Sequence, residues 1–386
     1  MKNKNLVIHL WFPDIFGFKG GIQVYSSFLL NSLQILYPYN QYEVFLKHDT
    51  HALLSFLKHT NFHFAGTFPL ALRTPAFAAQ IVGFGLWQRP NLVISTHINF
   101  TPAAYWLKRL TGIPYWIVAH GTEVWNIQRP ALQKALYHAD RILAVSSYTR
   151  DRILKAHHLN PENVSLLPNT FDEHRFHIAS KPQKLLERYG LTANQPLILT
   201  VGRLDSRDRY KGYDQILHAL PNIRSLIPNI HYIIVGKGDD RSRLEQLIHQ
   251  LQLQDCVTLA GFIPDRELCD HYNLCDVFAM PSKGEGFGIV YLEALACGKP
   301  ILGGNQDGAI DALRQGELGA LVDPDDVEAI AQTIVQILQG TYPNSLIYQP
   351  ELLRQKVIEY FSFDSFKKTL GDLIKNSEIL EAYPNS

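Results

Sequence analysis

This 386-residue chain has little of what marks the specialised protein classes. It holds four cysteines, Cys256, Cys269, Cys275 and Cys297, none in a C-x-x-C pair and none with a histidine at zinc-ligand spacing. That excludes a disulfide scaffold or zinc finger, and the thiols read as small, inert, buried hydrophobes. There is no charge imbalance either: 36 Lys and Arg face 36 Asp and Glu. Overall charge therefore argues for neither nucleic-acid binding nor solvated disorder. No apolar run reaches the length of a membrane span. The basic start, Met1–Asn5, meets only the short run Leu6–Trp11, too little for an export signal. A cytoplasmic location is the expectation. G-x-G-x-x-G, short-period repeats and low-complexity tracts are all missing, which removes the dinucleotide fingerprint and the solenoids.

What is present is an ordinary globular composition, 46% hydrophobic and 19% charged, on a chain long enough for two cores. Short apolar runs alternate with helical patterns, the sign of parallel α/β architecture. Strands are expected at 5–11, 42–47, 92–95, 115–119, 141–145 and 164–167. The series restarts at 197–201, 231–235, 257–260, 276–280 and 300–302. Between the series, Pro168–Pro182 is polar, proline-bounded and aperiodic, and reads as a linker. The expected division is an N-terminal domain, 1–178, and a C-terminal domain, 179–360, with helices only after Leu338. Two doubly wound domains facing each other would leave a cleft, with ligands at the carboxyl ends of the strands.

The densest chemistry lies in Pro281–Pro300, PSKGEGFGIVYLEALACGKP. A strand ending at Met280 runs into a glycine loop and then a helix start, whose free N–H groups and positive end suit phosphate. Glu285 precedes that helix, and Glu293 lies five residues past Gly288, about 7.5 Å along the axis. A diphosphate on the Phe287, Gly288, Ile289 and Val290 amides would have one carboxylate near each substituent. An acidic residue before a helix is ordinary. Glu293, flanked by Ile289, Val290, Leu292, Ala294, Leu295 and Ala296, is not, because a buried carboxylate is costly.

Further motifs fall at other strand ends. Gly202-Arg-Leu…Tyr-Lys-Gly212 places Arg203 after a strand and Lys211 at the next helix start, two cations able to stabilise a leaving diphosphate. Arg207 and Arg209 read as solvated. Gly20-Gly21 would let backbone approach a ligand. His120 ends the strand 115–119, with His97 as the second candidate. Val235–Asp240 reads as a turn with an Asx N-cap, and Asp323-Pro-Asp-Asp326 as a capping turn rather than a metal-binding D-x-D.

Taken together, these residues resemble family 4 glycosyltransferases of the GT-B fold, strongly over 197–323 and more loosely before. The most specific likeness is Glu285-x7-Glu293, followed by G-R-L…Y-K-G and Gly20-Gly21. The resemblance implies two Rossmann-like domains facing a central cleft, with the closing segment, 361–386, crossing back onto the first. It implies a retaining hexosyl transfer from a UDP- or GDP-sugar, with a lean to GDP-mannose, onto a hydroxyl of a glycan, lipid-linked or small-molecule acceptor. Glu285 with Phe287 and Gly288 would hold the donor sugar, Glu293 the ribose, Arg203 and Lys211 the diphosphate, and His120 would lie beside the transferred sugar. No metal or other cofactor is expected. The alternatives are a sugar-nucleotide epimerase on this scaffold and an inactive binding or scaffold protein. Phe84–Arg89 and Tyr105–Arg109 mix aromatics with cations, so contact with the inner membrane face is weighed evenly against core-facing helices.

Overall fold

The computed structural model describes residues 5–17, 20–52 and 59–377, which form two compact units. The first runs to Thr170 and regains the closing helix Phe363–Lys375; the second is Phe171–Ser362. In the first unit seven strands form one parallel sheet: β1 (Val7–Phe12), β2 (Gln41–Leu46), β3 (Thr60–Phe64), β4 (Leu92–Ser95), β5 (Tyr115–Ala119), β6 (Arg141–Ala144) and β7 (Val164–Leu166). Their order is β3-β2-β1-β4-β5-β6-β7. Ile8 pairs with Tyr42 on one side and Leu92 on the other, so the winding reverses between β1 and β4.

The second unit repeats this plan with six strands: β8 (Leu197–Val201), β9 (His231–Val235), β10 (Val257–Gly261), β11 (Val277–Met280), β12 (Ile301–Gly304) and β13 (Ala320–Val322). The order β10-β9-β8-β11-β12-β13 reverses between β8 and β11, where Ile198 faces both Tyr232 and Val277. The central strands are buried on both faces, which is why they are continuous apolar runs such as VFAM rather than alternating ones. Ligands in such sheets bind outside the carboxyl ends, at the reversal.

Two features differ from the sequence reading. The units divide after Thr170, not after 178, because the supposed linker is packed into the second unit. Phe171 and Phe176 are buried, and the Arg354 guanidinium donates to the carbonyls of Phe176, Glu173 and Ala296. Two strands went unread: β3, a half-exposed TNFHF edge, and β13, only three residues long.

The closing helix is amphipathic with period 3.6: Phe366, Leu370 and Ile374 are buried. They pack toward the helix Gly21–Leu36, with Phe366 edge-on to Tyr25 at 5.4 Å and Phe363 tilted on Phe28 at 5.6 Å. Burying each such side chain contributes roughly 2 kcal/mol, so this helix is an integral part of the first unit.

Candidate functional site

The reversal of the second sheet brings two loops together. After β8 the chain passes Gly202 and Arg203 and makes a tight 3₁₀ turn at Arg209–Lys211. Gly212 then takes φ +83°, and a Cβ there would stand 2.3 Å from the Pro281 carbonyl oxygen. The Lys283 N–H donates to the Tyr210 carbonyl at 2.9 Å, and a Cβ on Gly284 would strike the Tyr210 ring at 2.5 Å. With the loops pressed together, the Lys211 ammonium donates to Glu285 Oε1. Arg203 pairs with Asp208 at 2.8 Å and stays more than half exposed. Each of the two cations thus has a carboxylate partner, with which any anion bound there would compete.

Glu285 is held by a residue that the sequence reading missed. Asp307, fully buried in the turn after β12, accepts from the Glu285 N–H and the Ser282 hydroxyl at 2.7 Å each, and from the Ala309 N–H at 2.9 Å. The Gly308 N–H closes the clasp on the Glu285 carbonyl at 2.8 Å. Burial pushes the Asp307 carboxyl up to about 7. The signal available was an acid just past Gly303-Gly304 at a strand end.

Beyond Glu285 the helix Ile289–Ala296 begins at Gly288, whose φ of +86° and closeness to the Tyr291 ring exclude a side chain. Phe287 is buried against Phe361 at 5.4 Å, while Ile289 and Val290 are partly exposed at the helix start. Glu293 is buried within this helix and accepts a 2.7 Å hydrogen bond from the Tyr272 hydroxyl. Burial pushes its carboxyl up to about 7. Sequence reasoning flagged the burial of Glu293 but not its partner, which lies on another helix.

In the first unit, Gly20 opens the helix Gly21–Leu36, and a Cβ on Gly21 would meet nothing within 4 Å. His120 ends β5; its backbone N–H donates to Glu123 Oε1 at 2.7 Å, and its ring meets Tyr25 edge-on at 5.0 Å. Nε2 of His120 is buried and has no partner among the described residues. Burial pushes the ring down to about 3, so it is neutral at pH 7. His97, pushed down to about 4, is also neutral, and its Nδ1 accepts from the Asn99 N–H at 3.1 Å.

Two family profiles match the chain: "Glycosyltransferase Family 4" over residues 42–175 and "Glycosyl transferases group 1" over residues 183–353. A GDP-mannose-dependent alpha-(1-6)-phosphatidylinositol monomannoside mannosyltransferase of Mycobacterium tuberculosis is 34% identical over 272 residues, 67% of this chain and 69% of that protein. The chain belongs to glycosyltransferase family 4. The Mycolicibacterium smegmatis protein of the same description is 36% identical over 234 residues, which span 57% of this family 4 chain and only 59% of the relative. Among solved structures, the sucrose-phosphate synthase of Thermosynechococcus elongatus superposes with a TM-score of 0.80 at 21% identity, covering 98% of this chain and all of that one. The fold is GT-B.

The remaining charged motifs of this family 4 chain are structural. Arg209 is not simply solvated: it binds Asp240, which also takes Arg243, and Arg243 grips Asp214 at 2.8 Å. Asp240 therefore ties elements together and makes no side-chain N-cap bond. Arg207 pairs with Asp205 on the surface. Asp326 caps the helix Val327–Leu338 through the Ala329 N–H at 2.9 Å, Asp323 accepts from the Asp325 N–H, and Asp325 pairs with Lys283.

Proposed function

We propose that this chain is a retaining mannosyltransferase that uses GDP-mannose and a lipid-linked hydroxyl acceptor. The observation that carries the reading is the clasp of Lys211 on Glu285, beside Arg203 and the helix start at Gly288. The donor diphosphate would take Arg203, Lys211 and the Phe287–Val290 amides, freeing Glu285 for sugar hydroxyls. Glu293 would take the ribose. His120 keeps the place that the family resemblance gives it, beside the transferred sugar, with a neutral Nε2 that can share a hydrogen bond. As the anomeric C–O bond breaks, charge grows on the leaving diphosphate where the two cations stand. The acceptor oxygen would attack from that same face, its proton passing to the departing phosphate, which retains configuration. Because two fixed cations perform the electrostatic task of a divalent ion, the proposal includes no metal. The relatives' GDP-mannose dependence and phosphatidylinositol mannoside acceptors support the choice of donor and acceptor class. A cytoplasmic enzyme touching the inner membrane leaflet fits that acceptor.

A donor-hydrolysis screen over UDP- and GDP-sugars, with and without EDTA, tests the reading. It should release mannose from GDP-mannose at a rate that survives EDTA. Release from no sugar nucleotide would refute it, and loss on EDTA restored by Mg²⁺ or Mn²⁺ would refute metal independence.

A further inference from the structure

All four cysteines are free, buried and part of the second unit, and their surroundings divide them into two kinds. The thiols of Cys256 and Cys275 donate to main-chain carbonyls of their own turns, Leu253 at 3.5 Å and Tyr272 at 3.2 Å. Burial pushes these two up to about 11 and about 12, so both keep their protons.

Cys269 and Cys297 are different. Their sulfurs face each other at 3.9 Å, one on the helix Asp265–Leu274 and the other just past the helix Ile289–Ala296. Cys269 Sγ also lies 3.7 Å from Nδ1 of the exposed His177 and 3.5 Å from the Asn273 amide nitrogen. Three groups able to donate thus surround one sulfur, and a thiolate is the species that they stabilise. The hydrogen bond from Cys297 is the main cause that brings Cys269 down to about 6; His177 adds to it and burial opposes it. The same bond, together with burial, pushes Cys297 up and keeps it a thiol. Among the described residues no group of three His, Cys, Asp or Glu is placed to hold a metal ion, which leaves sulfur–sulfur chemistry.

We propose that Cys269 and Cys297 form a redox switch, closed to a disulfide by a peroxide and reopened by a thiol reductant. The Cys269 proton passes to His177, and the thiolate attacks one peroxide oxygen. The O–O bond breaks, the sulfur becomes a sulfenic acid, and the departing hydroxide takes the proton from His177. Cys297 Sγ then attacks the Cys269 sulfur, and its proton leaves with the hydroxyl as a second water. Two thiols are oxidised and one peroxide is reduced to two waters. Cys269 is 7% exposed and Cys297 1%, so a small oxidant suits the pair better than a bulky disulfide.

The pair stands beside the donor machinery. Tyr272 follows Cys269 by three residues and Glu293 precedes Cys297 by four, and the two are joined at 2.7 Å. Bonding draws the sulfurs together, and the helices that carry Tyr272 and Glu293 move with them. The closed form should therefore hold GDP less well. That effect rests on the ribose role proposed for Glu293; the disulfide does not.

Peroxide treatment of the full chain, followed by alkylation and peptide mass spectrometry, tests the switch. A Cys269–Cys297 cross-link should form while Cys256 and Cys275 remain open to alkylation, and dithiothreitol should restore all four thiols. Calorimetry should show the cross-linked protein binding GDP about 10-fold more weakly, with recovery on reduction. Cys297→Ala should bind GDP like wild type, yet stop under peroxide at a sulfenic acid that dimedone traps on Cys269. No cross-link in the folded protein, a different pairing, equal oxidation of Cys256 or Cys275, or undiminished GDP affinity after cross-linking would overturn the proposal. If the cross-link forms but neither form takes GDP, the functional reading fails and the disulfide stands.

Discussion

In the second unit, the loops at the sheet reversal hold Arg203 and Lys211 against Asp208 and Glu285. In the first unit, the strand ends hold Gly20, Gly21 and two histidines that burial keeps neutral, His97 and His120. The strand order around the reversal is the same in both, and the same geometry places a loop at each carboxyl end. The winding decides where a ligand binds, and the side chains decide what it is. Matched cations and acids suit a diphosphate and a polyol; uncharged rings suit hydroxyls that must be positioned without a competing ion.

The widest gap between the units should appear on removing charge from the second. Arg203→Ala and Lys211→Ala should each lower turnover on the order of 10²–10³-fold, the usual effect of losing one donor to a developing anion. Steady-state kinetics with saturating donor would measure this, and near wild-type rates in both would erase the distinction drawn between the two switch points. His120→Ala should also slow transfer, by about 10²-fold, yet leave GDP affinity unchanged. If titration showed GDP affinity falling with His120, the nucleotide would not belong to the second unit alone.

A smaller effect separates the buried glutamate from the exposed charges. The Glu293 carboxyl is raised from 4.5 to about 7 by burial. A raised acid keeps its proton longer in the folded state, so it costs nothing below about pH 4.5 and destabilises progressively up to pH 7. The full cost above pH 7 is about 3 kcal/mol. Without nucleotide, Glu293→Gln should melt higher than wild type at pH 8, with the difference vanishing near pH 4.5. Thermal melts across that window would show it; a Glu293→Gln variant that melts lower than wild type at pH 8 would mean that Glu293 is ionised and stabilising.

The fold was largely legible because its central strands are short apolar runs bounded by turns. β4, β5, β8 and β9 fall where that pattern places them. The helix Leu70–Gln88 is expected only as part of the helical filling between strands, without bounds, because a helix apolar on its outer side shows no 3.6 period, and Pro75 interrupts it. In the site, the pairing of Arg203, Lys211, Glu285 and Glu293 into one motif set came from strand ends and helix starts, which are local. Asp307 and Tyr272 did not, since each reaches its glutamate across a gap in sequence that only tertiary packing closes. Arg209 and Asp240 failed for the same reason: a local turn explains each alone, and their ion pair is non-local.

The central claim is that the two glutamates of the second unit divide the donor, Glu285 taking the sugar and Glu293 the ribose. Calorimetric titration of GDP and GDP-mannose into wild type, Glu285→Ala and Glu293→Ala tests it directly. Glu293→Ala should weaken both ligands by a similar factor, because both contain the ribose. Glu285→Ala should not weaken GDP, since it frees Lys211 for the diphosphate, and should remove only the gain that mannose adds. The reverse order, or GDP binding indifferent to Glu293, would contradict the assignment.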